Sequence, residues 1–280
     1  MSTDDPACRW SNPAPGLHRL DLTAAGRAHV IFVRAPRGGA PAAGWPSLWL
    51  LDGDATLPLA PRDAPGIVVA LAFPSGAAFD RDRRSEAYTP APDAEIGASR
   101  SGPVHGGAAA FRRSLLGAIR AEVAARWPLD PAATTLFGFS YGGLFACDTL
   151  LTAPGSFARF CAASPSLWFS GFQILRRLRA GDEACQAAGA PRPAVMLSAG
   201  RYEQHPPAGT PPARRAHLTA RAMLDSTAEA AELLLWAGLP VTLVHRPDAD
   251  HHAMLAQGVQ AAALACFGDA FAFSPPRRGL

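Results

Sequence analysis

Ser140 lies in the run Thr134-Thr-Leu-Phe-Gly-Phe-Ser-Tyr-Gly-Gly143, which contains the pattern Gly138-x-Ser140-x-Gly142. An apolar, β-rich stretch precedes it and an apolar helical pattern follows. A serine on a sharp strand-to-helix turn holds its hydroxyl clear of the sheet, and small residues two positions away on each side let strand and helix approach that closely. The first N–H groups of the helix then face the place where negative charge would develop on an acyl oxygen under attack. Acyl transfer to a serine oxygen is the chemistry this spacing allows. A Gly-rich turn with an incidental serine is the alternative, so the partners decide.

A hydroxyl is a poor nucleophile until a base removes its proton. The late loop Pro247-Asp-Ala-Asp-His-His-Ala-Met254 offers His251 and His252, and either fits. His245 falls inside a strand pattern and is expected to pack. His18, His29 and His105 come before the serine, and His205 and His217 lie in or beside a Pro-rich segment. The carboxylate that orients the imidazole is expected between the serine and the histidine. Glu203, in Gly200-Arg-Tyr-Glu203, stands there; Asp248 and Asp250 lie on the histidine's own loop, and a surface ion pair is the plainer use of Glu203. Two N–H donors for the oxyanion are expected from the backbones of Tyr141 and of Asp54, the latter in Leu51-Asp-Gly-Asp54.

These residues need a scaffold. Short apolar runs at His29–Val33, Ser47–Leu51, Gly66–Ala72, Thr134–Phe137, Ala194–Ala199 and Val241–His245 read as strands, and their continuous apolar character suits strands buried on both faces. Between them, Ala108–Arg126 carries Phe111, Leu115, Ile119 and Val123 at a spacing of four, Gly142–Leu151 follows the serine, and Ala213–Trp236 reads as one long helix. The alternation predicts an α/β protein: an α/β-hydrolase fold with a mostly parallel central sheet and helices on both faces. One domain spanning 1–280 is expected, with loop insertions near 73–107 and 204–212.

Composition narrows the function. The 280 residues are 49% hydrophobic, enough for one large core. The net charge is only +3, and the 26 basic residues are all arginine and scattered, which argues against a nucleic-acid surface. No apolar stretch is long enough to span a bilayer. The N-terminus carries no basic start followed by an apolar run, so a cytoplasmic protein is expected, or a periplasmic one if a leader is missing. Cys8, Cys147, Cys161, Cys185 and Cys266 show no metal-ligand spacing and are expected to be free thiols; no metal and no cofactor is expected. The sequence is silent on oligomeric state.

Five segments in order carry a resemblance: Leu50-Leu-Asp-Gly-Asp, Arg83-Arg-Ser-Glu-Ala-Tyr-Thr-Pro90, Gly106-Gly-Ala-Ala-Ala-Phe111, Leu136-Phe-Gly-Phe-Ser-Tyr-Gly-Gly-Leu-Phe-Ala146 and Ser164-Pro-Ser-Leu-Trp168. Together they resemble the esterase D-like putative esterase family, with the bacterial siderophore esterases as the closest branch. The resemblance runs from about Leu48 to about Met254. It implies hydrolysis of an ester through an acyl-enzyme, with a ferric catecholate trilactone such as enterobactin as substrate. It favours His251, because the family's histidine follows an acidic residue or Asn, as Asp250-His251 does. It implies that Arg83 and Arg84 meet the anionic substrate at the entrance, and places Trp168 at the site, beneath it or against an aromatic substrate. Ala87 stands where the family often has Asp, and a Ser–His dyad without Glu203 also fits that branch. A short-chain esterase or thioesterase, an acyltransferase of the same fold and a non-catalytic binding protein are the competing readings.

Overall fold

The computed structural model describes residues 8–93, 103–181, 189 and 192–268; Cys185 and residues 94–102 of the long polar stretch lie outside these. Among the described residues, nine strands form one sheet. They are β1 (Cys8–Ala14), β2 (Leu17–Ala24), β3 (Arg27–Arg34), β4 (Trp45–Leu50), β5 (Ile67–Ala72), β6 (Leu129–Phe139), β7 (Arg159–Ala163), β8 (Ala194–Gly200) and β9 (Val241–Arg246). Their order is β1-β2-β3-β5-β4-β6-β7-β8-β9. β1, β2, β3 and β5 pair antiparallel, and every pairing from β5 through β9 is parallel. This is an α/β-hydrolase sheet with an antiparallel edge.

Successive residues of a strand point to opposite faces, and both faces here are covered. Trp49, Leu51, Val69, Leu71 and Leu136 belong to one apolar core, while Leu48, Leu50, Val68, Ala70 and Phe137 belong to the other. The helices are α1 (Gly53–Thr56), α2 (Arg81–Tyr88), α3 (Ala108–Ser114), α4 (Arg120–Arg126), α5 (Tyr141–Thr152), α6 (Phe169–Arg179), α7 (Pro212–Arg221), α8 (Met223–Trp236) and α9 (His251–Phe267). α9 closes the second core through Met254, Val259, Ala262 and Ala263, and Gly258 lets it lie against Ala163 and Phe137.

The stretch between α3 and α4, Leu115–Ile119, is a π-helical turn. A four-residue repeat drifts by roughly 40° per step around an α-helix. The wider turn takes up that drift, so Phe111, Leu115, Ile119 and Val123 all stay buried.

Three expectations are corrected. The segment Ala213–Trp236 is two helices, broken at Ala222, which adopts φ 46° and ψ 45°. The polar stretch 73–107 is not all loop: α2 forms there, capped by Asp80, whose carboxylate accepts from Arg83 N at 3.0 Å. His245 does not pack; it is exposed on β9, the last strand of the sheet. Cys147 and Cys161 are buried thiols, and burial pushes both up to about 12, so neither is a nucleophile at neutral pH.

Candidate active site

Ser140 is the single residue between β6 and α5. Its φ of 57° and ψ of −115° are strained for a residue with a side chain. The neighbours hold it there. Ser140 N donates to Ala163 O at 3.0 Å, and Ser140 O accepts from Leu144 N at 2.9 Å and Ser166 N at 3.1 Å. The glycines around it are not equivalent. A Cβ on Gly138 would overlap the Gly142 carbonyl, and one on Gly143 would lie 2.9 Å from Pro165 Cα. One on Gly142 would reach only ordinary contact, 3.4 Å from Leu51 Cβ.

His251 is the first residue of α9. Asp250 caps that helix, its Oδ1 accepting from Ala253 N at 2.9 Å, and so fixes where the histidine begins. His251 Nε2 lies 3.2 Å from Ser140 Oγ and Nδ1 lies 2.6 Å from Glu203 Oε2. The imidazole also lies over the Phe139 ring, 4.6 Å between centroids, which restrains its rotation. His252 lines the same cleft but has no hydrogen bond to Ser140 or Glu203 among the described residues.

Glu203 is 1% exposed, on a 3₁₀ turn after β8. Its Oε1 accepts from Ser164 Oγ and from Gly200 N, both at 2.7 Å, which leaves Oε2 for the histidine. Gln204, to which the sequence assigned no role, caps α8: its Oε1 accepts from Leu224 N at 2.9 Å and Asp225 N at 3.2 Å. Ser166 was also missed; its hydroxyl lies 3.3 Å from Ser140 Oγ. The Ser-Pro-Ser order at 164–166 was the available signal, because Ser164 serves Glu203 and Ser166 faces the nucleophile.

Tyr141 begins α5, so its N–H has no intrahelical partner by position. Asp54 lies in α1, directly after β4, the strand beside β6. Asp52 N is already committed, donating to Tyr88 Oη at 3.1 Å.

The arginines expected at the entrance stand elsewhere. Arg84 Nε and Nη2 each donate to Asp52 at 3.0 Å, and Nη2 also donates to the Phe139 carbonyl at 3.3 Å. The guanidinium lies under Phe79, Tyr88 and Tyr141. It is therefore a buried ion pair tying the β4 loop to the residue before Ser140, not a free cation. Arg83 lines a separate small cavity with Arg27, His29 and Phe111. Trp168 does line the cleft, half-buried, beside Ser140 and Ser166.

Among the described residues, no cluster of three or more His, Cys, Asp or Glu side chains is placed to hold a metal ion, and no helix is long and apolar enough to cross a membrane. The arrangement is a hydroxyl, an imidazole and a buried carboxylate in line, able to move a proton from Ser140 to His251 while Glu203 compensates the charge.

A family model described as "Putative esterase" matches residues 23–233. The chain is 38% identical over 145 residues to the siderophore triacetylfusarinine C esterase of Aspergillus fumigatus, a match covering 51% of this chain and 47% of that protein. It is 27% identical over 195 residues to the ferri-bacillibactin esterase BesA of Bacillus subtilis, covering 64% and 67% respectively. The chain thus spans about half the length of the first of these relatives. The solved siderophore hydrolase EstB from Aspergillus nidulans matches with a TM-score of 0.78 at 25% identity, over 93% of this chain and 99% of that one. The BES protein from Bacillus cereus shares the fold, with a TM-score of 0.75 at 19% identity over 92% and 97%.

Proposed function

Because the chain belongs to the family described as "Putative esterase", we propose that it hydrolyses carboxylic esters of siderophores through a covalent acyl-enzyme on Ser140. The observation that carries the reading is the line Ser140 Oγ, His251 Nε2 at 3.2 Å, His251 Nδ1, Glu203 Oε2 at 2.6 Å.

In this mechanism Ser140 Oγ attacks the ester carbonyl carbon as His251 Nε2 takes its proton. The carbonyl oxygen becomes an oxyanion, met by the N–H groups of Tyr141 and Asp54. His251 then gives the proton to the leaving alkoxide, the ester C–O bond breaks, and the acyl group stays on Ser140. A water, deprotonated by the same imidazole, attacks the acyl-enzyme and releases the carboxylic acid. Glu203 keeps Nδ1 protonated so that Nε2 is free to accept, and stabilises the imidazolium of both steps. The substrate class is supported by relatives named as a siderophore triacetylfusarinine C esterase and a ferri-bacillibactin esterase.

The test is turnover of a ferric siderophore ester by the purified protein and its Ser140→Ala variant, with a fluorophosphonate probe as a second readout. Hydrolysis and labelling by the wild type, both lost in the variant, are expected. Equal turnover by the two proteins overturns the assignment.

A further inference from the structure

Helix α7 is unusual in burying none of its ten residues, although it lies over the cleft that holds Ser140. Arg214, His217, Leu218 and Arg221 all line the cleft. Their spacing, i, i+3, i+4 and i+7, puts them on one face. Arg221 also lies over the Trp168 ring, 4.5 Å from guanidinium carbon to centroid, so a cation and an aromatic plane are stacked at the mouth.

Among the described residues neither Arg214 nor Arg221 has an ion-pair partner. The two carboxylates lining the cleft are committed: Glu203 to His251, Ser164 and Gly200, and Asp250 to the cap of α9. Burial depresses the Arg221 pKa, and Arg214 depresses it further. Two like charges held near each other, one half out of water, favour an anion between them.

We propose that α7 is the element that selects the substrate, with Arg214 and Arg221 clamping an anionic ferric complex of catecholate type against Trp168. This rests on the reading that Ser140 opens an ester of that same molecule. Three catecholates lose two protons each and leave iron(III) trianionic, whereas three hydroxamates lose one each and leave it neutral. The clamp therefore separates the two chemistries by charge. The cleft itself is small, about 160 Å³. An iron complex would rest at its rim, on α7, with one ester arm reaching Ser140.

The test uses two probes that contain no ester: the ferric complexes of a tripodal tris-catecholate amide and of a tripodal tris-hydroxamate amide. Binding is read from quenching of intrinsic tryptophan fluorescence, for the wild type, Arg214→Gln, Arg221→Gln and the double variant. The wild type should bind the trianionic complex at least tenfold more tightly than the neutral one, less so at high salt. Each substitution should cut that preference roughly tenfold, and Arg221→Lys should retain part of it. Equal affinity for the two complexes, or a double variant that keeps the preference, overturns the proposal. Comparing two ligands on one variant removes the effect of partial unfolding, since that lowers both affinities together. The probes cannot be hydrolysed, so an inactive Ser140 would sink the proposed reaction and leave this measurement intact.

Discussion

Gly200 and Ala249 are packed backbone to backbone: a Cβ on Gly200 would overlap the Ala249 carbonyl oxygen, which also accepts from Tyr202 N at 3.0 Å. This contact ties the turn carrying Glu203 to the loop carrying His251. The segments that carry the two partners of Ser140 are thus held to each other as well as to the serine.

Gly200→Ala should therefore damage catalysis more than folding. Pushing the two loops apart displaces His251 from Ser140, and a displacement of about 1 Å costs on the order of a hundredfold in rate. Steady-state kinetics on an activated ester should show the loss in kcat, while circular dichroism still reports a folded chain. A variant with normal kcat would mean the contact does not set the site.

Glu203→Gln should lower kcat by roughly 10² to 10⁴. The amide keeps the shape and can still accept from Ser164 and Gly200 N, but it presents N–H to His251 Nδ1. The imidazole must then carry its proton on Nε2, where it cannot accept one from Ser140. His252→Ala should keep most of kcat, because that ring makes no hydrogen bond to Ser140 or Glu203 among the described residues. The reverse ranking of the two variants would reassign the base.

Arg84→Met should destabilise the fold by about 3–5 kcal/mol, because it leaves the buried Asp52 carboxylate without its partner. Adding Asp52→Asn should recover much of the loss. Urea denaturation of the single and double variants measures both, and a double variant no more stable than Arg84→Met would count against the pair as the cause.

Acid should weaken the fold through His29. The ring is 5% exposed, its Nε2 has no hydrogen-bond partner among the described residues, and burial holds its pKa below the ordinary value. The unfolded chain takes up the proton near pH 6.5, while the folded chain resists until lower pH. Stability is full above that value and falls as pH drops from it toward the folded pKa. Thermal melts from pH 8 to 5 should show a shallower decline for His29→Leu than for the wild type, a residual slope remaining from His18, whose pKa is lowered in the same direction. Parallel declines would acquit His29.

The parts of the fold legible in the sequence were those with the plainest pattern. Continuous apolar runs marked β3, β4, β5 and β8, because strands buried on both faces carry few polar positions. β2 was missed because Leu20 and Leu22 are its buried positions while Arg19 and Asp21 alternate with them, which breaks the run. β7 was missed because Cys-Ala-Ala lacks the β-branched residues that mark a strand. At the site, chain order pointed to Ser140, Glu203 and the pair His251 and His252, and the resemblance favoured His251; the structure brings Ser140, His251 and Glu203 within hydrogen-bond reach. Arg84 was misread: nothing in Arg83-Arg84 says that one guanidinium turns inward to Asp52, 32 residues away in the chain. The basic face of α7 was hidden by reading 213–236 as one helix, since the break at Ala222 carries neither Gly nor Pro.

That break has a practical meaning. A left-handed residue joins the exposed helix to α8, whose own start is pinned by Gln204, the residue after Glu203. In the proposed scheme the reaction stays on the sheet and the choice of cargo falls to a ten-residue helix that buries none of its side chains. Under that scheme a new specificity would be written on this helix without rewriting the machinery beneath it.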